Sequence, residues 1–248
     1  MIFAAVLSSL AVATASSVAE AATRSVERRT KYKPGWCGQA TPGSGFNYVE
    51  ATWKMPESFP TDAQKQNQPI YNYQWVGIDG ALSQCQALLQ AGTYYRLKDN
   101  VGTYGFWYEF YPNGSWLLDS PAVSPGDDIY VNVKATSKTT GTVYMENRTT
   151  KQNFTQDLTA PDGYELCQSN VEWIQENAIG KVTTLAPFST FSFENAYATD
   201  ESGHSYNMNG SESWIVQFDN PNGNGYTRLC HPSDMTDTSV TINYDGPK

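Results

Sequence analysis

Short runs of alternating side chains, separated by turn residues, constrain the fold of this 248-residue chain more than any other feature. In residues 104–111 the alternation places Trp107 and Glu109 on one face of a strand and four aromatic rings on the other. Residues 112–115, Pro-Asn-Gly-Ser, predict a hairpin turn into a second strand at 116–118. Because both faces of the first strand carry aromatic rings, neither face is simply solvated.

The same pattern recurs along the chain, about every ten residues. It predicts strands at residues 46–55, 70–80, 87–95, 129–135, 141–147, 189–193, 213–218 and 239–244, with a polar loop at 57–69. Such spacing is typical of a sandwich or barrel rather than of βαβ units. The 16 Tyr, 10 Phe and 7 Trp favour the same class. The predicted fold is all-β, a single antiparallel β-sandwich domain.

The first residues resemble an export signal followed by a short prosegment. Residues 1–15 are apolar and small, and the triplets Ala-Thr-Ala at 13–15 and Ala-Glu-Ala at 19–21 suit a signal peptidase, although no Lys or Arg precedes the apolar run. Arg28 and Arg29 form a dibasic processing site. We therefore predict a leader at 1–29 and a secreted mature domain at 30–248. No later segment is long and apolar enough to span a membrane.

Charge and motifs exclude several classes of function. The formal net charge of −9 repels the phosphate backbone of nucleic acids, so we expect no nucleic-acid partner. The two histidines, His204 and His231, lie in loop-like sequence, no Gly-x-Ser-x-Gly elbow is present, and the His-Glu-x-x-His zinc motif is absent. No Cys/His cluster suggests a metal, and no glycine-rich motif suggests a bound nucleotide cofactor. Carboxylates, amides and aromatic rings remain as candidate functional groups, in a protein we expect to be monomeric.

Glu172 is the most unusual carboxylate in the sequence. It lies between Val171 and Trp173 in a run that reads as a strand, so that alternation places it on the face opposite to both neighbours. An ionisable group in such a run costs free energy unless the protein uses it. Gln90 lies in a similar apolar stretch, residues 86–92. These two polar side chains are therefore the first candidates for a functional site.

The cysteines connect these two stretches. Cys85 lies five residues before Gln90, and Cys167 lies five residues before Glu172. Four cysteines in an exported chain allow three disulfide connectivities. A Cys85–Cys167 bond would bring the two strands together and place Gln90 beside Glu172, and it leaves Cys37 to pair with Cys230. Gln90 and Glu172 are thus the candidate active site.

Five segments in the same order resemble the glutamic peptidases, or eqolisins, a family of secreted acid endopeptidases. They are Trp75–Gly80, Leu89–Gly92, Trp107–Pro112, Ala135–Thr139 and Glu172–Glu176. The resemblance extends from about residue 36 to the C-terminus, essentially the whole predicted mature domain. It implies a sandwich of two large antiparallel sheets, similar to lectin-like or concanavalin A-like jelly rolls. It also implies protein or peptide substrates and no cofactor.

Carried over residue by residue, the resemblance assigns the family's catalytic pair to Gln90 and Glu172. Glu172 would act as general base and then as general acid, while Gln90 would bind the attacking water and stabilise the oxyanion. The resemblance further implies that Trp75, Asp79, Trp107 and Glu109 lie near the substrate cleft. It also implies that the hairpin tip at 112–115 closes over the substrate as a flap.

The chain departs from the family pattern at two positions near this site. Gly105 stands where many members carry an Asp two residues before the tryptophan of the Trp-Tyr-Glu motif. Tyr94 stands where many carry an Asp shortly after the catalytic glutamine. Both departures leave the catalytic pair intact and bear on substrate preference and pH optimum.

Two other functions use the same residues differently. In a glycosidase, Glu109 and Glu172 would form an acid and nucleophile pair, and Gln90 would have no necessary role. In a non-catalytic binding module, the Trp and Tyr faces would serve as platforms for sugars, and Glu172 would be replaceable by Gln.

Overall fold

The computed structural model describes residues 30–33, 35–82, 84–181, 183–219 and 225–247. The predicted leader at 1–29 lies outside the described residues. The elements in chain order are β1 (Thr30–Lys33), β2 (Trp36–Pro42), β3 (Phe46–Lys54), α1 (Asp62–Gln66), β4 (Ile70–Ile78), β5 (Leu88–Lys98), β6 (Val101–Tyr111), β7 (Trp116–Leu117), β8 (Asp128–Ala135), β9 (Thr140–Asn147), β10 (Gln152–Thr159), β11 (Asn170–Glu176), β12 (Phe191–Asp200), β13 (Ser205–Tyr206), β14 (Glu212–Asp219), β15 (Tyr226–Ser233) and β16 (Val240–Tyr244). Within this part of the chain, no helix has the length and apolarity that a bilayer crossing requires.

The strands form two layers that one strand connects. The hydrogen-bonded order is β10-β9-β8-β3-β12-β16-β15-β14-β2-β11-β4-β5-β6-β7. In β12, residues 191–193 pair with β16 in the first layer, and residues 194–200 pair with β3 in the second. The register shifts between Glu194 and Tyr197, where Asn195 has a φ of 51°. This irregularity lets the strand leave one layer and enter the other. All described pairings are antiparallel except that of β1 with β14.

The main hydrophobic core lies between the two layers. The second layer contributes side chains such as Val49 and Val131, and the first contributes Leu89, Phe106 and Trp173. The opposite face of the first layer carries a smaller aromatic cluster built on Tyr73, Trp75, Tyr94 and Trp107. Alternation along each strand thus divides the side chains between a core face and a second apolar face.

A chain of buried polar groups crosses the core face of β11, β4 and β5. Gln74 Nε2 donates a hydrogen bond to Gln175 Oε1 at 2.8 Å, and Thr93 Oγ1 donates to Gln74 Oε1 at 3.0 Å. Trp53 Nε1, from the second layer, donates to Thr93 Oγ1 at 3.1 Å. Because these three polar residues are fully buried, a shift of one residue in any strand would leave donors and acceptors unpaired. The polar chain therefore fixes the register of the three strands.

Both predicted disulfides are present. Cys37 pairs with Cys230, with 6.0 Å between their Cα atoms, and Cys85 pairs with Cys167, with 5.8 Å between theirs. The second bond does not bring β5 and β11 into direct contact, because β4 lies between them.

The helix α1 was not expected in the polar loop predicted at 57–69. Its signal in the sequence is a capping box: Thr61 Oγ1 accepts from Gln64 N, and the Gln64 side chain accepts from Thr61 N. The predictions also omitted β1, β2, β10, β13 and β15, and they ended β12 seven residues too early.

We expect Thr93→Val to lower the free energy of unfolding by about 2–4 kcal/mol, since it leaves Trp53 Nε1 without an acceptor and Gln74 Oε1 without a donor. Urea unfolding would measure the change. Thr155→Val, at an exposed position of β10, is the matched control and is expected to change stability little. Equal losses in the two variants would contradict the role of the polar chain.

Candidate active site

Three neighbouring strands place Glu172 and Gln90 on the same face of the first layer. Gly77 of β4 is paired with Glu172 of β11 on one side and with Gln90 of β5 on the other. Two strand spacings separate the two backbones, which corresponds to about 10 Å. A Cβ atom on Gly77 would lie 3.0 Å from the Trp75 ring and 3.3 Å from Gln90 Cβ. Leu88 Cδ1 also lies 3.0 Å from that position, so the absence of a side chain at Gly77 lets Trp75 and Leu88 pack over the sheet between Glu172 and Gln90.

Glu172 is fully buried, and only one of its two carboxyl oxygens accepts a hydrogen bond from a described side chain. Its Oε1 accepts a short hydrogen bond from Asn170 Nδ2, while its Oε2 has no hydrogen-bond partner among the described residues. Burial, and next the charge of Asp79, raise the pKa of the Glu172 carboxyl well above its usual value, and the bond from Asn170 and the nearby backbone N–H of Ala81 oppose this rise. An unpaired buried oxygen on a group that titrates is a feature typical of functional sites.

Gln90 has a similar unpaired oxygen. Its Nε2 donates to Glu109 Oε2 at 2.6 Å, and its Oε1 is buried without a partner among the described residues. Glu109 lies directly opposite Gln90 on β6. Burial raises the pKa of Glu109 to about 7, against the effect of the hydrogen bond from Gln90. Glu109 thus fixes which end of the Gln90 amide carries the free oxygen.

Asp79 supports Glu172 indirectly, through its hydrogen bonds to residues 168–170. It follows β4 with a φ of 73°, and it is fully buried. Its Oδ2 accepts from Gln168 N at 2.7 Å, and its Oδ1 accepts from Ser169 N and Ser169 Oγ at 2.8 and 2.9 Å. The Asp79 N–H also donates to Asn170 O at 2.9 Å. Asp79 therefore holds the segment that carries Asn170, the donor to Glu172.

The two predicted tryptophans are anchored by their indole nitrogens. Trp75 Nε1 donates to Glu176 Oε2 at 2.8 Å, and Trp107 Nε1 donates to Thr93 O at 3.0 Å. Trp107 packs against Tyr73, with ring centroids 4.6 Å apart. Their rings belong to the aromatic cluster on the outer face of the first layer.

A cavity of about 450 Å³ opens next to this aromatic cluster. Gln90, Glu109 and Trp107 line it, whereas Trp75, Asp79 and Glu172 do not. Glu176 lines it as well, and burial raises the pKa of its carboxyl to about 7.

The register thus aligns Glu172, Gln90 and Glu109 in one row across the sheet, but of the six residues that the sequence indicated only Gln90, Trp107 and Glu109 line the cavity. Reasoning from the sequence assigned no role to Glu176 or Asn170. Alternation could have found both, since positions 170, 172, 174 and 176 share one face of β11. In the described part of the chain, no group of three His, Cys, Asp or Glu residues could hold a metal ion.

The two departures from the family pattern are in direct contact. Tyr94 on β5 is paired with Gly105 on β6. A Cβ atom on Gly105 would lie 2.7 Å from the Tyr94 ring and 2.8 Å from Leu118 O. The Tyr94 ring therefore occupies the space that a side chain at position 105 would need, and the two departures act as one coupled replacement.

Comparison with known proteins identifies relatives over the whole described domain. The sequence profile of the Peptidase A4 family matches residues 34–244. Aspergillopepsin-2 of Aspergillus niger is 30% identical over 185 residues, which are 68% of this chain and 65% of that protein. Scytalidopepsin B of Scytalidium lignicola is 31% identical over 215 residues, which are 83% of this chain and 74% of that protein. The match with aspergillopepsin-2 thus spans slightly less than two thirds of its length.

A solved structure shows the same fold. The crystal structure of scytalido-glutamic peptidase with a transition state analog inhibitor superimposes with a TM-score of 0.71 at 30% identity, over 85% of this chain and 98% of that one. This similarity confirms the predicted all-β sandwich.

We expect Gly105→Ala to destabilise the protein by about 1–3 kcal/mol, because the added methyl group collides with the Tyr94 ring and with Leu118 O. Tyr94→Ala is destabilising by itself because the ring is buried, and the double variant should lose less stability than the sum of the two single losses, which thermal unfolding of the three variants would measure. Gly114→Ala is the control, since a Cβ there meets no atom within 4 Å. Additive effects of the two substitutions would contradict the coupling.

Proposed function

The chain belongs to the peptidase A4 family, the glutamic peptidases, and we propose that it is an acid endopeptidase in which Glu172 and Gln90 hydrolyse the peptide bond. One observation carries the assignment of the pair. Glu172 Oε2 and Gln90 Oε1 are buried oxygens without partners among the described residues, and their side chains flank Gly77 on one face of the sheet. Two buried acceptors of this kind suit a water molecule, which can donate one O–H to each.

The first step is the attack of water. Gln90 Oε1 accepts one O–H of the water, and Glu172 Oε2 takes the other proton as the water oxygen bonds to the carbonyl carbon. The electron pair of the carbonyl bond moves to the carbonyl oxygen. One hydrogen of Gln90 Nε2 is held by Glu109, and the second is available to donate to this oxyanion.

The second step is departure of the amine. Glu172 Oε2 returns its proton to the nitrogen of the tetrahedral intermediate, the C–N bond breaks, and the carboxyl product forms. Because Asn170 already occupies Oε1, the same oxygen serves as base and as acid. The raised pKa of Glu172 suits the return of the proton, and it limits activity at every pH below that raised pKa, where the ionised base is the minor form.

We assign Asp79 and Asn170 to positioning. Asp79 is fully buried with both carboxylate oxygens in hydrogen bonds, which favours a role in holding the 168–170 segment over the contact with substrate expected from the resemblance. Asn170 then holds Glu172 with Oε2 free. Glu109 does the same for Gln90 from the opposite side.

The arrangement disfavours the glycosidase alternative. Glu109 and Glu172 are separated by three strand spacings, or about 14 Å between backbones, and Gln90 lies between them. Glycosidases place the substrate directly between their two carboxyl groups, whereas here Gln90 lies in the row between Glu109 and Glu172. The names of the relatives describe peptidases, and peptides are accordingly the substrates we propose. The two disulfides suit a secreted protein.

We expect Glu172→Gln to abolish cleavage and Gln90→Ala to reduce kcat/KM by about 100- to 1000-fold, since the first removes the base and the second removes an oxyanion donor. The assay is hydrolysis of a denatured protein substrate across acid pH. Thermal unfolding of each variant would show that it folds. A folded Glu172→Gln protein that still cleaves would disprove the assignment.

We also expect Asn170→Ala to move the acid limb of the pH profile of kcat/KM to higher pH by about half a unit to one unit. The Asn170 bond lowers the pKa of Glu172, so its loss raises that pKa, and the ionised base then appears only at higher pH. Gln152→Ala, exposed on β10, should leave the limb in place. A limb that stays in place or moves to lower pH in Asn170→Ala would argue against Glu172 as the base.

A further inference from the structure

The cavity next to Gln90 combines aromatic walls with two carboxyl groups. Trp36, Tyr73 and Trp107 supply rings, and Glu109 and Glu176 supply the carboxyls. Its volume of about 450 Å³ exceeds that of any single amino-acid side chain. None of the described residues that line it is Lys, Arg or His. A negative group without a nearby cation, inside an apolar pocket, is unusual unless the pocket receives a cation or the group becomes neutral.

We propose that this cavity is a substrate subsite with two states, one with neutral carboxyls that takes a large apolar side chain and one with ionised carboxyls that takes lysine or arginine. The inference rests on the proposed peptidase function, because the side chain it receives belongs to the peptide being cleaved.

The neutral state is the one expected in acid. Burial raises the pKa of both Glu109 and Glu176 to about 7, and the charge of Glu109 contributes to the rise at Glu176. Both carboxyls therefore carry their protons at the acid pH where the family works. The pocket then offers rings and neutral hydrogen-bonding groups, which suit an apolar or aromatic side chain.

The ionised state is the one expected near neutral pH. Two carboxylates then face a pocket whose aromatic rings can cover the methylene stem of lysine or arginine and contact its charge. Among the described lining residues, the other groups that titrate are Tyr73 on β4, whose pKa both carboxyls raise, and Tyr111. Phenols stay neutral in this range, so the two carboxyls alone set the charge of the pocket.

Glu176 is held in place in a way that suits this role. Trp75 Nε1 donates to its Oε2 at 2.8 Å, and the Trp36 ring packs edge-on against Trp75 with centroids 4.9 Å apart. The indole N–H can donate to a carboxylate or to the carbonyl oxygen of a carboxylic acid. The group therefore keeps its position when it gains or loses a proton, and only the charge of the subsite changes.

The test compares lysine with norleucine, which has the same length and no charge. A peptide that the wild-type protein cleaves is resynthesised with one or the other at each position around the cleaved bond. Binding to the Glu172→Gln protein, in which the base no longer titrates, is measured by calorimetry at about pH 4.5 and about pH 7.5. At one position we expect the affinity ratio of lysine to norleucine to rise at least about tenfold between the two pH values.

Adding Glu176→Gln should reduce that rise, since Glu109 is then the one carboxyl among the described lining residues that ionises, and adding Glu109→Gln as well should make the ratio nearly independent of pH. Adding Glu194→Gln, an exposed acid of β12, should leave the tenfold rise intact. A ratio that is flat at every position, or a rise that survives the loss of both carboxyls, would overturn the subsite while the peptidase function stands. A wild-type protein that cleaves no peptide would overturn the proposed function and the subsite with it.

Discussion

The candidate site exists only because β11, β4 and β5 keep one register. Their core face carries the buried chain Gln175–Gln74–Thr93, which tolerates no slip because each partner would lose its hydrogen bond inside a dry core. The opposite face of the same strands carries Glu172, Gly77 and Gln90 in one row. Since side chains alternate between faces, fixing one face fixes the other, so that a packing constraint in the core becomes a geometric constraint on the chemistry.

The electrostatics of this face follow from the same burial. Glu172, Glu109 and Glu176 all have pKa values raised first by loss of water, and each is partly restrained by a hydrogen-bond donor: Asn170, Gln90 and Trp75. The donors hold the carboxyls in place, and burial favours the protonated form of each carboxyl. Because these groups favour the protonated form, the folded state gains stability below a pH of about 4.5 and loses it as pH rises toward about 7. A protein with this site is thus suited to acid in its stability as well as in its proposed chemistry.

Several features could be read from the sequence because they depend on near neighbours in the chain. Alternation in residues 104–111 correctly separated Phe106 and Phe110, in the main core, from Trp107 on the outer face. The cysteine spacing led to the correct disulfides. Of the strands that were missed, β10 and β15 alternate weakly and β1 and β13 are only four and two residues long, while α1 is only five residues long with its signal confined to a capping box. The prediction also missed β2, at residues 36–42.

The sequence by itself determined the all-β class, the faces of the strands and the identity of the catalytic candidates, since period-two patterns and cysteine spacing are local properties of the chain. Only the tertiary structure decided that β4 stands between Gln90 and Glu172, that Trp75 and Leu88 pack over Gly77 between them, and that Tyr94 fills the place of a side chain at Gly105. It also decided that Glu109 and Glu176, on strands far apart in sequence, share one cavity. These facts depend on which strands become neighbours and on how much water reaches each group, and long-range packing sets both.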